Sequence, residues 1–367
     1  MYIVQRNTER TIAMVELLSE ILQSLEQGEP VVVATVVGHS GSTPRISGSK
    51  MIVHSDGRIS GTVGGGALEG DVIRQAMNLF ANRSGAILFY DLNETTATRD
   101  LDIVCGGSMH VLLDYLPNDP AAIEVYRALA DFHAASGRAL FVSLVRGDDD
   151  HLEVMRSVLN TDGTPLDPGL APISDSNELY ETLACVGADA SARLIPWGDD
   201  RLVIEPVLPP DTVYLVGAGH VSLEVAWLAH RLGFRTVVID DRPEFASKER
   251  FPKVDSLRVC PDYKDVFHEF IPDENSYIVI LTRGHRFDKK ALAQALASRA
   301  GYIGMIGSAR KRDTIYNGLT EDGIDPAQLE RVHCPVGLAI EAETPAEIAV
   351  SIVAQLIEHR ARRRDHG

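Results

Sequence analysis

Apolar and polar positions in the second half of the chain predict strands that alternate with helices. Short apolar runs occupy residues 213–216, 236–239, 277–281 and 302–306, and helically spaced apolar positions occupy residues 221–232, 289–300 and 345–362. Continuous apolar runs of this length indicate buried strands, whereas repeats of three and four indicate helices. Their regular alternation is typical of a doubly wound parallel sheet with helices on both faces.

The first half of the chain predicts a separate α/β domain. Helical spacing covers residues 11–26, 67–80 and 122–135, and strand-like runs cover residues 31–37, 50–53, 58–63, 86–90, 109–113 and 139–145. Between residues 146 and 210 the pattern weakens, and clusters of acidic residues and prolines indicate loops. We therefore expect an N-terminal domain over residues 1–205 and a C-terminal domain over residues 206–367.

A glycine motif follows the first predicted strand of the C-terminal half. Residues 213–222 combine a buried strand with G-x-G-x-x-S, in which Gly217 and Gly219 permit a tight turn and the close approach of a pyrophosphate. His220 lies within the motif, directly before the predicted helix, and Asp240 ends the next strand, where a carboxylate can bind a ribose hydroxyl. The order of these features predicts a Rossmann-like nucleotide-binding corner. A corner that is empty or that holds a different ligand is the alternative.

Two glycine-rich segments in the N-terminal half predict a site for an anion. Residues 41–48 contain Arg45, and residues 61–69 contain a glycine triplet before a helix whose first turn carries Glu69. The triplet consists of Gly64, Gly65 and Gly66. Backbone N–H groups at a helix N-terminus attract anions, and an arginine adds a bidentate phosphate contact. Neither segment matches the Walker pattern, and tight turns where only glycine fits are the alternative.

The cysteines are far apart in the chain. They are Cys105, Cys185, Cys260 and Cys334. The absence of a C-x-x-C pair argues against a structural zinc site and a disulfide framework, and it favours a reducing cytoplasm. Cys105 precedes Gly106 and Gly107, and a thiol with such flexible neighbours is able to contact a metal or accept sulfur. Local sequence alone favours burial as a small apolar side chain.

Composition narrows the range of partners. Acidic residues number 52 and basic residues 35, and the formal charge of −17 opposes binding to nucleic acid. Hydrophobic residues make up 45% and charged residues 24% of the 367 residues, which suits a globular protein with two domains. The sequence shows no signal peptide and no apolar run of the about 18 residues that a membrane span requires. We expect a cytoplasmic protein.

Taken together, the motifs resemble those of the xanthine dehydrogenase accessory-factor family, of the XdhC/CoxI type. The resembling segments are residues 41–45, 61–69, 105–107, 216–222, 240–243, 282–285 with 288, 302–308, 334–338, 343–345 and 347–351. Ala67, after the glycine triplet, departs from the family pattern. The resemblance implies a protein that binds molybdenum cofactor (molybdopterin), protects it, and helps deliver its sulfurated form to a xanthine dehydrogenase-type molybdenum hydroxylase. A cysteine desulfurase would supply the sulfur.

The resemblance also implies a set of cofactor-binding residues. Cys105 becomes the first choice for contact with molybdenum or sulfur, and Cys334 the second, because soft thiolates suit both. The full set is Cys105, Gly106, Gly107, Arg45, Gly64, Gly65, Gly66, Glu69, Gly217, Gly219, His220, Asp240, His285 and Asp288. No residue is assigned as catalytic, because the expected role is that of a chaperone without turnover of its own. A homodimer is the working expectation for its assembly.

Two other functions stay open from the sequence. An NAD(P)-dependent oxidoreductase would bind NAD(P) or another nucleotide at Gly217 and Gly219, and would use His285 and Asp288 as an acid–base pair. A scaffold would bind the hydroxylase without contacting any cofactor. Pterin and molybdenum in the purified protein would favour the chaperone, bound nicotinamide the oxidoreductase, and neither of them the scaffold.

Overall fold

The computed structural model describes residues 8–92, 106–134, 138–160, 163–167 and 191–365. Contacts divide the chain into an N-terminal unit over Ala13–Pro209 and a C-terminal unit that begins at Pro210 and also includes the described residues before Ala13. Each unit has hydrophobic clusters of its own. The boundary expected after residue 205 falls within the last strand of the N-terminal unit, Asp200–Val207.

The first sheet of the N-terminal unit is built around the long apolar strand that begins at Val31. Its described strands are antiparallel, in the order β3-β2-β1-β5-β4. They are β1 (Val31–Gly41), β2 (Lys50–His54), β3 (Ile59–Gly61), β4 (Ala86–Asp91) and β5 (Gly107–Leu116). Because β1 lies in the middle of the sheet, its residues 31–37 are all buried, which explains their unbroken apolar pattern.

Helices cover both faces of this sheet. They are α1 (Thr8–Glu26), α2 (Gly66–Asn82) and α3 (Pro120–Ala134). Leu18 of α1 and Tyr126 of α3 belong to one hydrophobic cluster, whereas Leu68 and Val72 of α2 belong to another. The expectation of an α/β N-terminal domain is therefore confirmed.

A second antiparallel sheet occupies part of the stretch in which the sequence indicated only loops. Its order is β7-β6-β9-β8, with β6 (Ala139–Asp148), β7 (His151–Asn160), β8 (Arg193–Trp197) and β9 (Asp200–Val207). The sequence did not predict β7, β8 or β9, which lie in this stretch. Pro206, which argued against a strand, lies opposite Leu140 of β6 and beyond Ile204, where the pairing with β8 ends. A proline is tolerated at such an edge because no ladder bond needs its missing N–H.

The C-terminal unit contains the expected doubly wound sheet. Its strands are β10 (Thr212–Val216), β11 (Arg235–Asp240), β12 (Ser256–Val259), β13 (Ser276–Ile280), β14 (Tyr302–Met305) and β15 (Val332–His333). They are parallel and lie in the order β12-β11-β10-β13-β14-β15, the order of dinucleotide-binding Rossmann sheets. The sequence pattern missed the two edge strands, because β12 is short and half-buried and β15 has only two residues.

Helices pack on both faces of the parallel sheet, as the alternating pattern predicted. They are α4 (His220–Arg231), α5 (His285–Ala297), α6 (Ala309–Glu321), α7 (Pro326–Leu329) and α8 (Pro345–Asp365). α4 and α8 contribute to one cluster with residues such as Val225 and Ile352, and α5 and α6 to the other with residues such as Leu292 and Ile315. Among the described helices, none combines the length and apolar character that crossing a membrane requires.

Candidate functional site

The glycine-rich segments of the N-terminal half meet at one end of the first sheet. β1 and β5 are in a register that places Gly41 opposite Gly107. A Cβ atom added to Gly41 would lie 2.8 Å from the Gly106 carbonyl oxygen, and one added to Gly64 would lie 3.3 Å from the Pro44 Cβ atom. Segments 41–48, 64–66 and 106–107 are therefore neighbours. We call them together the glycine site.

The glycines of this site fall into two physical groups. Gly41 and Gly107 are needed for close packing, since a Cβ atom on Gly107 would lie 2.2 Å from the Ser40 carbonyl oxygen. Gly65, Gly66 and Gly106 have positive φ angles of 79°, 60° and 73°, and an added Cβ atom at each would meet no atom of the described residues within 4 Å. These three backbone positions thus border open space.

The glycine triplet leads directly into a helix N-terminus. Gly65 is the N-cap of α2, and no side chain caps the helix there. Uncapped N–H groups and the helix dipole favour an anion at this position. Thr62 donates to Glu69 and accepts from the Gly64 N–H at 3.2 Å, so Glu69 holds the loop that presents the triplet. Whether Glu69 also contacts a ligand stays a prediction.

The structure describes Arg45, one of the predicted N-terminal site residues, but not Cys105. Arg45 is half-buried in the segment next to the triplet, and its carbonyl accepts from the Thr43 hydroxyl at 2.8 Å. Cys105 lies outside the described residues, directly before Gly106. Within the described parts of the chain, no group of three or more His, Cys, Asp or Glu side chains is arranged to hold a metal ion.

The predicted nucleotide corner forms at the carboxyl end of β10. Gly217 has a φ angle of 112°, and a Cβ atom there would lie 2.4 Å from the Leu281 carbonyl oxygen. Both its backbone angle and its contact with Leu281 therefore require glycine at position 217. Gly219 is the N-cap of α4, and His220 is exposed as the first residue of that helix. Ser222, where a third glycine is common, is fully buried and donates to the Gly217 carbonyl.

Asp240 organises the corner from the end of β11. It is 1% exposed and accepts the Ala218 N–H at 2.7 Å, the Arg242 N–H at 3.0 Å and the Arg242 Nε at 2.9 Å. Burial acts to raise the pKa of Asp240, but these donors outweigh it and the pKa lies below its ordinary value. Both carboxylate oxygens are used inside the protein. In this conformation Asp240 fixes the glycine loop and presents no spare oxygen to a ribose.

His285 and Asp288 are not arranged as a catalytic pair. His285 is the exposed first residue of α5, whereas Asp288 is fully buried. Asp288 accepts from the Thr282 hydroxyl at 2.7 Å and forms an ion pair with Lys311 Nζ at 2.5 Å. Asp288 therefore ties the loop after β13 to α6.

Cys334 lies at the carboxyl end of β15, at the same edge of the parallel sheet. It is half-buried, and burial raises the pKa of its thiol, although Arg312 and Lys311 act in the opposite direction. A thiol with a raised pKa is mostly protonated at neutral pH and is a weak nucleophile. Burial outweighs the two basic neighbours, so the structure does not favour Cys334 as a reactive thiol.

Sequence reasoning assigned no role to several charged residues that build this edge. Asp241 accepts from an Arg283 guanidinium nitrogen at 2.7 Å and lies 3.6 Å from the Arg242 Nε. Both basic residues belong to segments already singled out as motifs, namely 240–243 and 282–285. The position of Arg242 and Arg283 directly after parallel strands is the signal that could have identified them, because ligand-binding loops of such sheets lie there.

Fold and corner together define a two-unit α/β protein with a C-terminal Rossmann domain. The model of the XdhC Rossmann domain matches residues 213–356, and the model of the XdhC and CoxI family matches residues 24–91. The two models lie in different units of the chain, and both describe XdhC-type proteins. The resemblance to the xanthine dehydrogenase accessory-factor family is thereby confirmed, as is the Rossmann character of the C-terminal unit.

Relatives of this chain agree with that resemblance. The chain is 28% identical over 341 residues to a probable xanthine dehydrogenase subunit of Bacillus subtilis, covering 92% of this chain and 96% of that protein. It is 25% identical to the uncharacterized Escherichia coli protein YqeB, of which it spans 46%. A crystal structure described as a xanthine dehydrogenase from Bacillus halodurans has a TM-score of 0.75 and 25% identity, with 95% of this chain and 96% of that one covered.

Proposed function

We propose that the protein binds molybdenum cofactor at the glycine site and acts as a maturation chaperone for a xanthine dehydrogenase-type molybdenum hydroxylase. The observation that carries the proposal is the convergence of three glycine segments, distant in the chain, at one helix N-terminus. If the three segments were only tight turns, they would have no need to lie next to one another. A shared ligand gives all three a common reason.

The described residues fit the phosphate end of such a cofactor. Gly65, Gly66 and Gly106 leave their backbone accessible, because the position of each missing Cβ atom borders open space. The α2 N-terminus supplies uncapped N–H groups and a positive dipole end. Arg45, in the adjoining segment, would add positive charge. These groups would bind and orient an anion, and when bound the cofactor would supply a dithiolene-held molybdenum centre that carries the transferable sulfur.

Cys105 would act as the thiol of the site. It directly precedes Gly106, and a soft thiolate suits both molybdenum and transferred sulfur. In this proposal a cysteine desulfurase delivers sulfur while the cofactor is bound here, and the hydroxylase then receives the cofactor. The family resemblance and the xanthine dehydrogenase names of two relatives support such a client.

The oxidoreductase alternative gains no support from the corner. Its proposed acid, Asp288, is buried between Thr282 and Lys311, and its proposed partner, His285, is exposed. General acid–base catalysis requires both groups within reach of one substrate proton. We therefore expect no hydride transfer from reduced nicotinamide to a small carbonyl substrate.

The test combines cofactor content with hydroxylase activation. Protein purified from cells that make molybdenum cofactor should contain pterin and molybdenum, and Cys105→Ala should retain less molybdenum while it stays folded. Apo-hydroxylase lacking its terminal sulfur should gain activity when cofactor, desulfurase and this protein are combined. Equal molybdenum content in the Cys105→Ala variant would remove Cys105 from the proposal.

A matched pair of glycine variants separates ligand binding from backbone strain. Gly106 in the site and Gly57 in the β2–β3 hairpin have φ angles of 73° and 84°, and both border open space. Alanine at either position introduces a similar strain of about 1–2 kcal/mol. β1 and β2 pair so that the hairpin lies at the opposite end of the sheet from Gly41. Gly106→Ala should lower cofactor retention and Gly57→Ala should not; equal retention in both variants would contradict the proposed site.

A further inference from the structure

An exposed aromatic ring lies on the first sheet of the N-terminal unit, beside the glycine site. Phe89 of β4 is 59% exposed, whereas Tyr90 next to it is buried. His110 of β5 lies directly opposite Phe89, and the two ring centroids are 4.8 Å apart with 45° between the ring planes. The half-buried His110 ring makes no hydrogen bond with any described residue. The two adjacent rings thus form a small aromatic surface.

A glycine in the central strand extends this surface to a third strand. Gly38 of β1 lies opposite His110, so Gly38, His110 and Phe89 form one row across the sheet, which we call the aromatic shelf. β1 has a bulge directly before Gly38, but the φ angle of Gly38 lies outside the left-handed region, where a bulge requires glycine. An added Cβ atom would lie 3.7 Å from the His110 Nδ1 atom, which is an ordinary contact. A glycine that its own strand does not require is typical of a place where a ligand approaches closely.

The second sheet covers the neighbouring positions on the same face and stops at the aromatic shelf. Ile87 and Leu112 are buried in one cluster with residues of β6, β7 and β9. Residues two apart on a strand share a face, so Phe89 and His110 follow Ile87 and Leu112 on that face. The turn between β6 and β7 reaches this point, where the Asp149 carbonyl accepts the Ile87 N–H at 2.9 Å. The aromatic shelf is therefore bounded on one side by this turn.

A pair of hydroxyl groups lies between the aromatic shelf and the glycine site. Ser40 and Ser108 are opposite each other, two residues beyond the shelf on the same face, and their hydroxyl oxygens are 2.9 Å apart. Gly41 and Gly107 form the next pair and belong to the glycine site. Three residues of a strand span about 10 Å, so the shelf and the glycine site are roughly that far apart. Each hydroxyl is able to donate one hydrogen bond and to accept others.

We propose that the aromatic shelf binds the pterin ring of the cofactor whose phosphate the glycine site holds. This inference rests on the proposed function and adds the part of the cofactor that the glycine site leaves unexplained. Planar heteroaromatic rings stack on aromatic side chains, and their polar edges require hydrogen-bond partners. Phe89 supplies the stacking face, and the hydroxyls of Ser40 and Ser108 together with the His110 ring supply the partners. A ring and an anion about 10 Å apart are the two ends of a phosphorylated pterin.

The polar neighbours of Phe89 favour a heteroaromatic ring over an apolar surface of a partner protein. Apolar patches that bind proteins are contiguous over several side chains, and charged residues are depleted at their centre. Here the next residue of β4 on the same face is the exposed Asp91, which lies opposite Ser108. The other neighbours on the shelf are an imidazole and a glycine. One aromatic face among hydrogen-bonding groups suits a small ring.

The experiment measures the affinity of the full chain for isolated molybdenum cofactor. Protein from cells that cannot make the cofactor is titrated with it, and the bound fraction is quantified by pterin fluorescence after oxidation. Phe89→Ala should bind at least about fivefold more weakly than wild type, the loss expected when one stacking contact is removed. Phe89→Leu keeps apolar bulk without a ring and should lose a similar amount, whereas Phe89→Trp should bind at least as tightly as wild type. Ile59→Ala, on the other edge strand and 38% exposed, is the control and should bind like wild type.

The outcomes separate this inference from the function on which it rests. All variants should keep the wild-type melting temperature, because both substituted residues are exposed. Wild type that binds no cofactor contradicts the proposed function and the aromatic shelf together. Wild type that binds it, with Phe89→Ala or Phe89→Leu equal to wild type, overturns the shelf alone and leaves the glycine site in place. If Phe89→Ala binds cofactor normally but no longer activates the apo-hydroxylase, Phe89 contacts the hydroxylase instead and the inference is wrong.

Discussion

Replacing the two corner glycines one at a time should change stability in opposite directions. Alanine at Gly217 would need a φ angle of 112° and would bring its Cβ atom to 2.4 Å from the Leu281 carbonyl oxygen. Backbone conformations rare for side-chain-bearing residues cost about 1–3 kcal/mol, and a forced shift of packed backbone costs a similar amount. We expect Gly217→Ala to lower the free energy of unfolding by about 3 kcal/mol.

Serine at Gly219 meets none of these obstacles. The φ and ψ angles of −74° and −171° suit a side-chain N-cap, and the surrounding space is open. Its hydroxyl would accept an N–H of the first turn of α4, which stabilises a helix by a few tenths to about 1 kcal/mol. Gly219→Ser should therefore raise the free energy of unfolding.

The two tryptophans allow the C-terminal unit to be followed by itself. Trp197 lies in β8 of the N-terminal unit and Trp227 in α4 of the C-terminal unit. In a Trp197→Phe background, urea denaturation followed by fluorescence reports the unfolding of α4, and circular dichroism reports the whole chain. A Gly217→Ala variant within about 0.5 kcal/mol of its parent would refute the tight contact with Leu281. A less stable Gly219→Ser variant would refute the open cap.

Three further predictions concern buried charges and the thiol. Arg360 is 1% exposed and lies 4.1 Å over the Phe234 ring, so Arg360→Ala should lower the free energy of unfolding by about 3 kcal/mol, measured by urea denaturation. The lowered pKa of Asp240 means that its stabilising effect is present above its unfolded-state pKa of about 3.9 and is lost as pH falls through the folded value. Denaturation midpoints of Asp240→Asn should consequently depend less on pH below 4 than those of wild type, and equal slopes would contradict this. Cys334 should react slowly with iodoacetamide at pH 7.5 and faster only above about pH 9, because burial raises its thiol pKa; peptide mass spectrometry showing fast labelling at pH 7.5 would exclude that environment.

The C-terminal unit was predictable from sequence because its signals are local and agree with one another. Apolar runs and helical spacing alternate, and each strand end carries its turn residues, so order and direction of the sheet follow from few rules. The edge strands β12 and β15 escaped prediction for a physical reason. Edge strands bury less of their surface, and four or two residues are too few to establish a period.

The second sheet of the N-terminal unit was missed because hydrogen bonding between strands forms it, whereas the apolar pattern of each strand is weak. β7 has exposed or half-buried residues at six of its ten positions, among them Glu153 and Arg156. Arg156 is held by an ion pair with Asp114 of β5, a contact between residues far apart in the chain. Such long-range pairing decides the structure where the local signal is weak, and no local rule can supply it.

For the sites, too, the sequence predicts the local motifs but not the contacts between residues that are distant in the chain. The sequence identified the glycine segments one by one, but the convergence of Gly41, Gly64 and Gly106 depends on the register of β1 and β5. It also placed an acid, Asp240, at the end of β11, but it could not show that other parts of the protein already use both carboxylate oxygens. Those donors come from the loop after β10 and from the loop after β11.

Glycines that neither backbone angle nor packing requires are the most informative residues of this chain. Gly217 and Gly107 are explained by contacts that a Cβ atom would violate, and Gly57 is explained by its positive φ angle. Gly219 and Gly284 have no such explanation, and serine at either position would make a better helix cap. Residues that forgo available stability are expected where function opposes it. Among the described residues, neither a backbone angle nor a close contact accounts for glycine at these two helix caps.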